Sequence, residues 1–259
     1  MKDYGLASHL AESSRKCYIV PVAMRCNARC TFCATHEYKP RAQTEFMDAQ
    51  GVESRISRLV AAGAVRFEVT GGGEPTLHSD LGSIICSIRR AGGQYIKLYT
   101  NCSRLPGGLA VDELNISRAH FDPDRNQKIM HIAGGSESLA ATVTRARGGG
   151  YRNIRLSVPL VHGGIDSPEE ASAFVRSAAG LVGAVVFRPL YPATPDRESI
   201  LPDVPAHLWQ RRIEELADEF RESLVVEFDA VGCFRGSQAI LASDLRLYGD
   251  WSLSRRIAF

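Results

Sequence analysis

Six times along this chain, an apolar run of strand length is followed by a stretch with helical periodicity, and the strands end in loops that carry the chemically distinctive residues. Residues 17–23, 65–70, 95–100, 114–117, 154–161 and 184–189 read as strands one to six. Between them, Val52, Ile56, Leu59 and Val60 recur on one helical face with Gly63 placed as a C-terminal cap, and Leu81, Ile84, Ile85 and Ile88 mark a second helix. A small-residue helix over 136–148 is stopped by the glycines at 148–150. Ser167-Pro168-Glu169-Glu170 combines an N-cap residue, a proline at the first helical position and acids in the first turn. Trp209, Ile213, Leu216 and Phe220 line one face of a charged helix, and 224–228 reads as a last strand. The segment 192–204 reads as loop and the tail beyond 228 as irregular. Strand-helix units in series require parallel strands joined by right-handed crossovers, hence an open doubly wound sheet or a partial barrel. In both, ligands bind at the carboxyl ends of the strands.

Strand one delivers the chain into Cys26-Asn27-Ala28-Arg29-Cys30-Thr31-Phe32-Cys33, which sets three thiols at spacings of four and three residues. A four-iron, four-sulfur (4Fe-4S) cluster is normally held by four thiolates, so three leave one iron open to a group that is not protein. Strand two runs into Gly71-Gly72-Gly73-Glu74-Pro75. Its glycines let backbone approach a ligand closely, Glu74 adds a carboxylate and Pro75 fixes the exit. That loop suits an ammonium group; a phosphate would want a Lys-Ser/Thr pair after the glycines. By itself it is equally a tight turn leading into a helix. Strand three opens into Asn101-Cys102, and strand four ends at Ser117. Seven cysteines, three of them in one loop, fit reduced thiols and a metal site better than a disulfide framework. The 31 basic and 29 acidic residues are interspersed, which marks no nucleic-acid footprint. Residues 1–16 lack an apolar signal core, and no stretch approaches the ~20 apolar residues of a membrane span. A cytoplasmic protein, with no nucleic-acid or membrane partner, is the expectation.

Taken together, Cys-x3-Cys-x2-Cys after a first strand, Phe32 just before the third cysteine and Gly72-Gly73-Glu74-Pro75 after the second strand resemble the radical S-adenosylmethionine (radical SAM) superfamily, in a small form without an auxiliary-cluster domain. The likeness runs over roughly residues 17–200. It implies an α/β fold, a partial (βα)6 barrel with parallel strands over 17–220, preceded by a lead of residues 1–16 and followed by a C-terminal extension, 221–259, that caps the barrel. It implies a 4Fe-4S cluster on Cys26, Cys30 and Cys33, and S-adenosylmethionine as the occupant of the open iron. Gly72, Gly73 and Glu74 would meet the amino group of that cofactor, Phe32 its adenine and Ser117 its ribose, with Asn101 beside them. The implied chemistry is reductive cleavage to a 5′-deoxyadenosyl radical that takes hydrogen from a substrate, with flavodoxin or ferredoxin as electron donor. A small organic molecule of sugar, amino acid or nucleoside type is the expected substrate, and epimerisation or dehydrogenation in natural-product biosynthesis the expected outcome. The short lead argues against a peptide-recognition domain.

Departures from the family pattern supply the substrate-side candidates. Relatives often carry glycine where this chain has Cys102, which is either a thiol near the cofactor or simply a small side chain; they often read Ser-Leu-Asp-Gly where it has Ser117-Arg118-Ala119-His120-Phe121-Asp122, and those changed residues are expected to face substrate rather than cofactor. Cys233 is a lone C-terminal thiol, either a hydrogen donor to a substrate radical or a small buried hydrophobe. Arg188 and Arg155, on strands six and five, would hold a carboxylate or phosphate, or form structural ion pairs. His120 and His162 follow strands four and five and so face the expected site, but neither has a metal-spaced partner, and a solvated or capping histidine is the preferred reading of each. Cys17 and Cys86 are expected in the core, and Tyr191 and Tyr248 as packing. Residues 241–251 are expected to cover the pocket. Two other readings stand beside this one: an activase that takes hydrogen from a glycine of a partner protein, and a non-catalytic iron-sulfur or zinc protein, His36 being placed to complete a zinc site.

Overall fold

The computed structural model describes residues 15–33, 45–190, 201–229 and 239–249. Seven parallel strands stand in sequence order: β1 (Lys16–Ile19), β2 (Arg66–Val69), β3 (Tyr95–Thr100), β4 (Glu113–Ser117), β5 (Ile154–Leu160), β6 (Ala184–Pro189) and β7 (Val225–Phe228). Helices α1 (Val52–Ala61), α2 (Leu81–Arg90), α3 (Pro123–Met130), α4 (Leu139–Gly148), α5 (Pro168–Ala178) and α6 (Ala206–Phe220) alternate with them. The sheet runs from β7 at one edge to β1 and beyond without closing on itself, a partial barrel as the alternating pattern requires.

Period-two alternation gives the sheet two unlike faces. Cys17 and Ile19, Phe67 and Val69, Ile96 and Leu98, Leu156 and Val158, Val185 and Phe187 point to the helices and are fully buried there. The phenylalanines of this layer, Phe67, Phe174 and Phe187, each contribute roughly 1.5–3 kcal/mol by leaving water. The alternate positions, Lys16, Glu68, Lys97, Glu113, Arg155, Arg188 and Glu227, form a charged inner face.

Three features depart from the sequence reading. The tail is not irregular throughout: β8 (Ile240–Leu241) joins the edge of β1 in parallel and β9 (Leu247–Tyr248) returns antiparallel, with Tyr18 and Tyr248 in one buried cluster. Two-residue strands are too short to show a period. Helix α3 lies where no helix was expected, although Asp122-Pro123-Asp124 opens it with the same chemistry as Ser167-Pro168-Glu169; the Asp122 carboxylate accepts from Arg125 N. Cys86 is exposed rather than core, because it lies two residues from both Ile84 and Ile88, about 200° around the helix from that stripe.

Candidate active site

The carboxyl ends of β1 to β4 converge, and backbone hydrogen bonds clamp their loops together. After β1 the chain leaves the sheet at Pro21, which has no N–H to give. The glycine loop then docks on the approach to the cysteines: Gly73 N donates to Val22 O (3.2 Å) and Glu74 N to Arg25 O (2.9 Å). A Cβ at position 73 would fall on the carbonyl oxygen of Arg25, so only glycine allows this approach. From the other side the cysteine loop is held by the end of α3, with Arg29 N on Met130 O (3.1 Å), Thr31 N on Ile129 O (3.0 Å) and Ala133 N on Asn27 O (2.7 Å).

Glu74 is buried, and both of its oxygens are engaged. Oε1 accepts from Thr76 N (3.1 Å) and from the hydroxyls of Thr76 and Thr100 (2.6 Å each); Oε2 accepts from Asn101 N (2.8 Å). Burial raises its pKa, and the hydrogen bonds from Asn101, Thr100 and Thr76 oppose that rise. A ring of amides and a hydroxyl continues from there into the cysteine loop. Asn101 Nδ2 donates to Asn27 Oδ1 (2.8 Å), Asn27 Nδ2 to Ser103 Oγ (2.7 Å), and Ser103 Oγ to Asn101 Oδ1 (2.7 Å). Asn27, Thr76, Thr100 and Ser103 are therefore parts of the site that the sequence reading passed over. The polar residue inside the cysteine loop and the threonine ending β3 were its available signals.

The three thiols share this rim. Cys26 is exposed, Cys30 and Cys33 are partly buried, and Phe32 packs with Cys30 on an apolar cluster of Ala28, Ala119, Ile129, Met130 and Val161. Burial pushes the Cys30 thiol up to about 12, reinforced by Cys33, Cys26 and Glu74; Cys26 is raised by burial and by Glu74 and Cys33. A bound metal centre would compensate the charge of such thiols as thiolates. Among the described residues no three His, Cys, Asp or Glu side chains converge on a single ion. Gly72 lies in the same rim, and Ser117 ends β4 level with Ser157 of β5.

The model of the Radical SAM superfamily matches residues 20–176, more than half of the 259 residues. The chain belongs to the radical SAM superfamily. Among curated relatives, a GTP 3′,8-cyclase of Vibrio cholerae is 28% identical over 160 residues, covering 57% of this chain and 47% of the relative. A probable GTP 3′,8-cyclase of Pyrobaculum aerophilum is 27% identical over 175 residues, covering 65% and 55%. The chain thus spans about half the length of the curated relatives it matches. Among solved structures, Streptococcus suis SuiB bound to precursor peptide SuiA superposes with a TM-score of 0.73 at 14% identity, covering 92% of this chain and 59% of that one. Native anSMEcpe with bound AdoMet gives 0.66 at 15%, covering 92% and 74%. These likenesses bear out the partial-barrel fold.

The rim of this radical SAM protein fits the family's cofactors: three thiols in one loop and a carboxylate-bearing glycine loop clamped beside them, with no side chain between the two at Gly73. Below the rim, the inner face of the sheet walls a cavity of about 520 Å³. Its charges are paired: Lys16 with Glu68 (3.7 Å), Lys97 with Glu113 (2.8 Å), Arg188 with Asp229 (3.2 Å), and Arg155 with Glu227 and, at 3.8 Å, Glu113. Tyr99 and Tyr95 donate to Glu68 and Glu113.

The remaining candidates are dispersed. Arg188 and Arg155 face the cavity as members of these ion pairs. Cys102 is fully buried, its thiol pushed up to about 11 by burial. Its backbone holds φ +62°, the left-handed region that favours glycine, and is tied down by Thr100 Oγ1 (2.9 Å) and Arg145 (2.7 Å). Arg118 lines a small cavity of about 150 Å³ with Asn101, Cys102 and Ser103, and His120 is buried. The Arg118 guanidinium gathers the carbonyls of His120, Phe121 and Glu137, which shapes the turn after β4. His120 stacks on Phe121 (4.4 Å), accepts from Asp122 N and turns its Nε2 toward Glu170 of α5 (4.0 Å), on the helix side of the sheet. His162 is exposed beside Asp166. Cys17 is core, and Tyr248 donates to Asp244 within the β8–β9 turn. Cys233, Tyr191 and His36 lie outside the described residues, as do parts of both terminal segments. Residues 239–249 extend the sheet beside β1. No helix among the described residues is long and apolar enough to cross a membrane.

Proposed function

We propose that this chain is a radical enzyme acting on a small organic molecule held in the cavity below the rim. Cys26, Cys30 and Cys33 would hold the 4Fe-4S cluster, and the Gly72-Gly73-Glu74 loop, with Asn101 and Ser117, the S-adenosylmethionine. Bound there, these groups supply a one-electron reductive cleavage that yields the 5′-deoxyadenosyl radical, the hydrogen-abstracting species. The chain's own work is placement. The Asn27–Ser103–Asn101 ring and the two threonines on Glu74 fix the glycine loop relative to the cysteine loop, and the sheet's inner face keeps substrate directly beneath them. A reduced flavodoxin or ferredoxin would supply the electron, and Cys233 is retained as a candidate hydrogen donor.

The observation that carries this reading is the clamp between the cysteine and glycine loops, which a plain electron carrier or zinc module has no use for. The chain assembled anaerobically with iron and sulfide, given dithionite and S-adenosylmethionine, is expected to form 5′-deoxyadenosine. Cys30→Ala should lower that rate by more than about 100-fold, beyond the loss typical of groups that merely support a metal site. A colourless, zinc-loaded protein, or equal rates in both chains, would defeat the reading.

A further inference from the structure

We infer that the cavity takes a molecule without net charge that presents a lactam edge, an N–H beside a C=O, and that Asn115 reads this edge. The inference rests on the functional reading above for the cavity's role as the substrate chamber. Asn115 lies mid-way along β4 on the inner face, lines the cavity and is 1% exposed. Among the described residues, neither its amide nitrogen nor its amide oxygen has a hydrogen-bond partner; Glu113 Oε1 and Arg155 Nε beside it also lack a hydrogen bond, but both of those groups are held in ion pairs. An amide buried with both ends unmet is costly unless a ligand meets them. Asn offers one donor and one acceptor side by side, which matches a lactam edge bidentately, as the same side chain matches the paired edge of a nucleobase.

The neighbouring strands fix where that ligand lies. Tyr99 of β3 and Arg155 of β5 are level with Asn115 in register. Ser117 follows two residues further on the same face of β4, about 7 Å toward the rim, and Asn101 lies just past the end of β3. A molecule seated on Asn115 therefore lies one pleat below the residues assigned to the cofactor, against the ring of Tyr99. The wall's charge decides the rest. Lys16, Lys97 and Arg188 each have a carboxylate across from them, and Arg155 has two. Among the described residues no positive excess remains on this wall to hold a polyanion, and a triphosphate would have to break these pairs.

Calorimetric titration of the cluster-loaded full chain tests this with uridine, 3-methyluridine, UTP and cyclo(Gly-Gly). Uridine or cyclo(Gly-Gly) is expected to bind, 3-methyluridine at least about tenfold more weakly than uridine for want of the N–H, and UTP more weakly than uridine. Asn115→Asp, of the same shape but with a donor lost, should weaken binding about tenfold or more. Asn115→Leu should abolish it while its ligand-free melting temperature stays level or rises, because an unmet amide has been removed. Absence of binding by both lactams, tighter binding of UTP, undiminished binding by either variant, or a lower melting temperature for Asn115→Leu would overturn the inference. A chain that forms 5′-deoxyadenosine but binds neither lactam defeats this inference alone. One that binds uridine but forms no 5′-deoxyadenosine defeats the functional reading alone.

Discussion

The rim and the wall of this barrel are built on opposite principles. At the rim, contacts run mainly through backbone and short polar side chains from a few contiguous stretches: Gly73 and Glu74 N–H groups on carbonyls of the incoming chain, and a carboxylate enclosed by two threonines and a backbone amide. On the wall, contacts are side chain to side chain between residues far apart in sequence, Tyr99 with Glu68 and Arg155 with Glu227 among them. A backbone approach as close as that of Gly73 to Arg25 admits no side chain, whereas a pair of side chains can be exchanged together. On the proposed function, the rim is thus the part suited to one fixed reaction, and the wall the part free to change substrate.

The sharpest way to break that comparison is Glu74→Ala. It leaves Asn101 N, Thr76 N and two buried hydroxyls without their acceptor. Stability is expected to fall by about 3 kcal/mol or more, read from urea unfolding of the metal-free chain, since each orphaned buried donor costs on the order of 1–3 kcal/mol. Glu74→Gln should recover part of this through its remaining oxygen. A loss below about 1 kcal/mol for the alanine variant would mean that the rim is not locked as described.

The wall should respond differently. Lys97 and Glu113 are 13% and 6% exposed and 2.8 Å apart, and Tyr95 donates to the other oxygen of Glu113 (2.8 Å). Glu113→Leu alone strands a buried ammonium and should cost about 3 kcal/mol. Adding Lys97→Met should return most of that, because a buried pair exchanged together for apolar groups of similar volume is often near neutral. A double variant no better than the single one would show that the wall is as intolerant as the rim.

This contrast also explains what could be read in the amino-acid order. The seven parallel strands and five of the six helices follow from periodicity and capping, because each is a local pattern of burial. The cysteine and glycine loops are legible because their geometry needs particular residues at particular spacings, as Gly73 against Arg25 illustrates. The ion pairs of the wall and the isolation of Asn115 depend on register across strands, which no short stretch encodes. The contacts of His120 and Arg118 were not legible for a related reason: they follow the last residue of β4, where strand alternation gives way to a turn organised by Arg118. Strands β8 and β9 depend on the free edge of β1, a property of the assembled sheet.

His120 marks where the rim ends and the helix layer begins, and it carries the smallest of the expected effects. Burial holds its pKa down to about 4 from 6.5, assisted by Arg125 and Arg118 and opposed by Asp122, while the Glu170 carboxylate that faces it from α5 is paired with Arg125. Between about 4 and 6.5 the unfolded chain therefore binds a proton that the folded chain refuses. Stability should rise with pH across that window and, for this residue, be level above and below it. The urea midpoint of the wild-type chain minus that of His120→Gln, followed from pH 4 to 7, removes the contributions of other carboxylates and histidines and should climb with pH. A flat difference would place the imidazole in contact with water or substrate, and would return His120 from the helix layer to the substrate side.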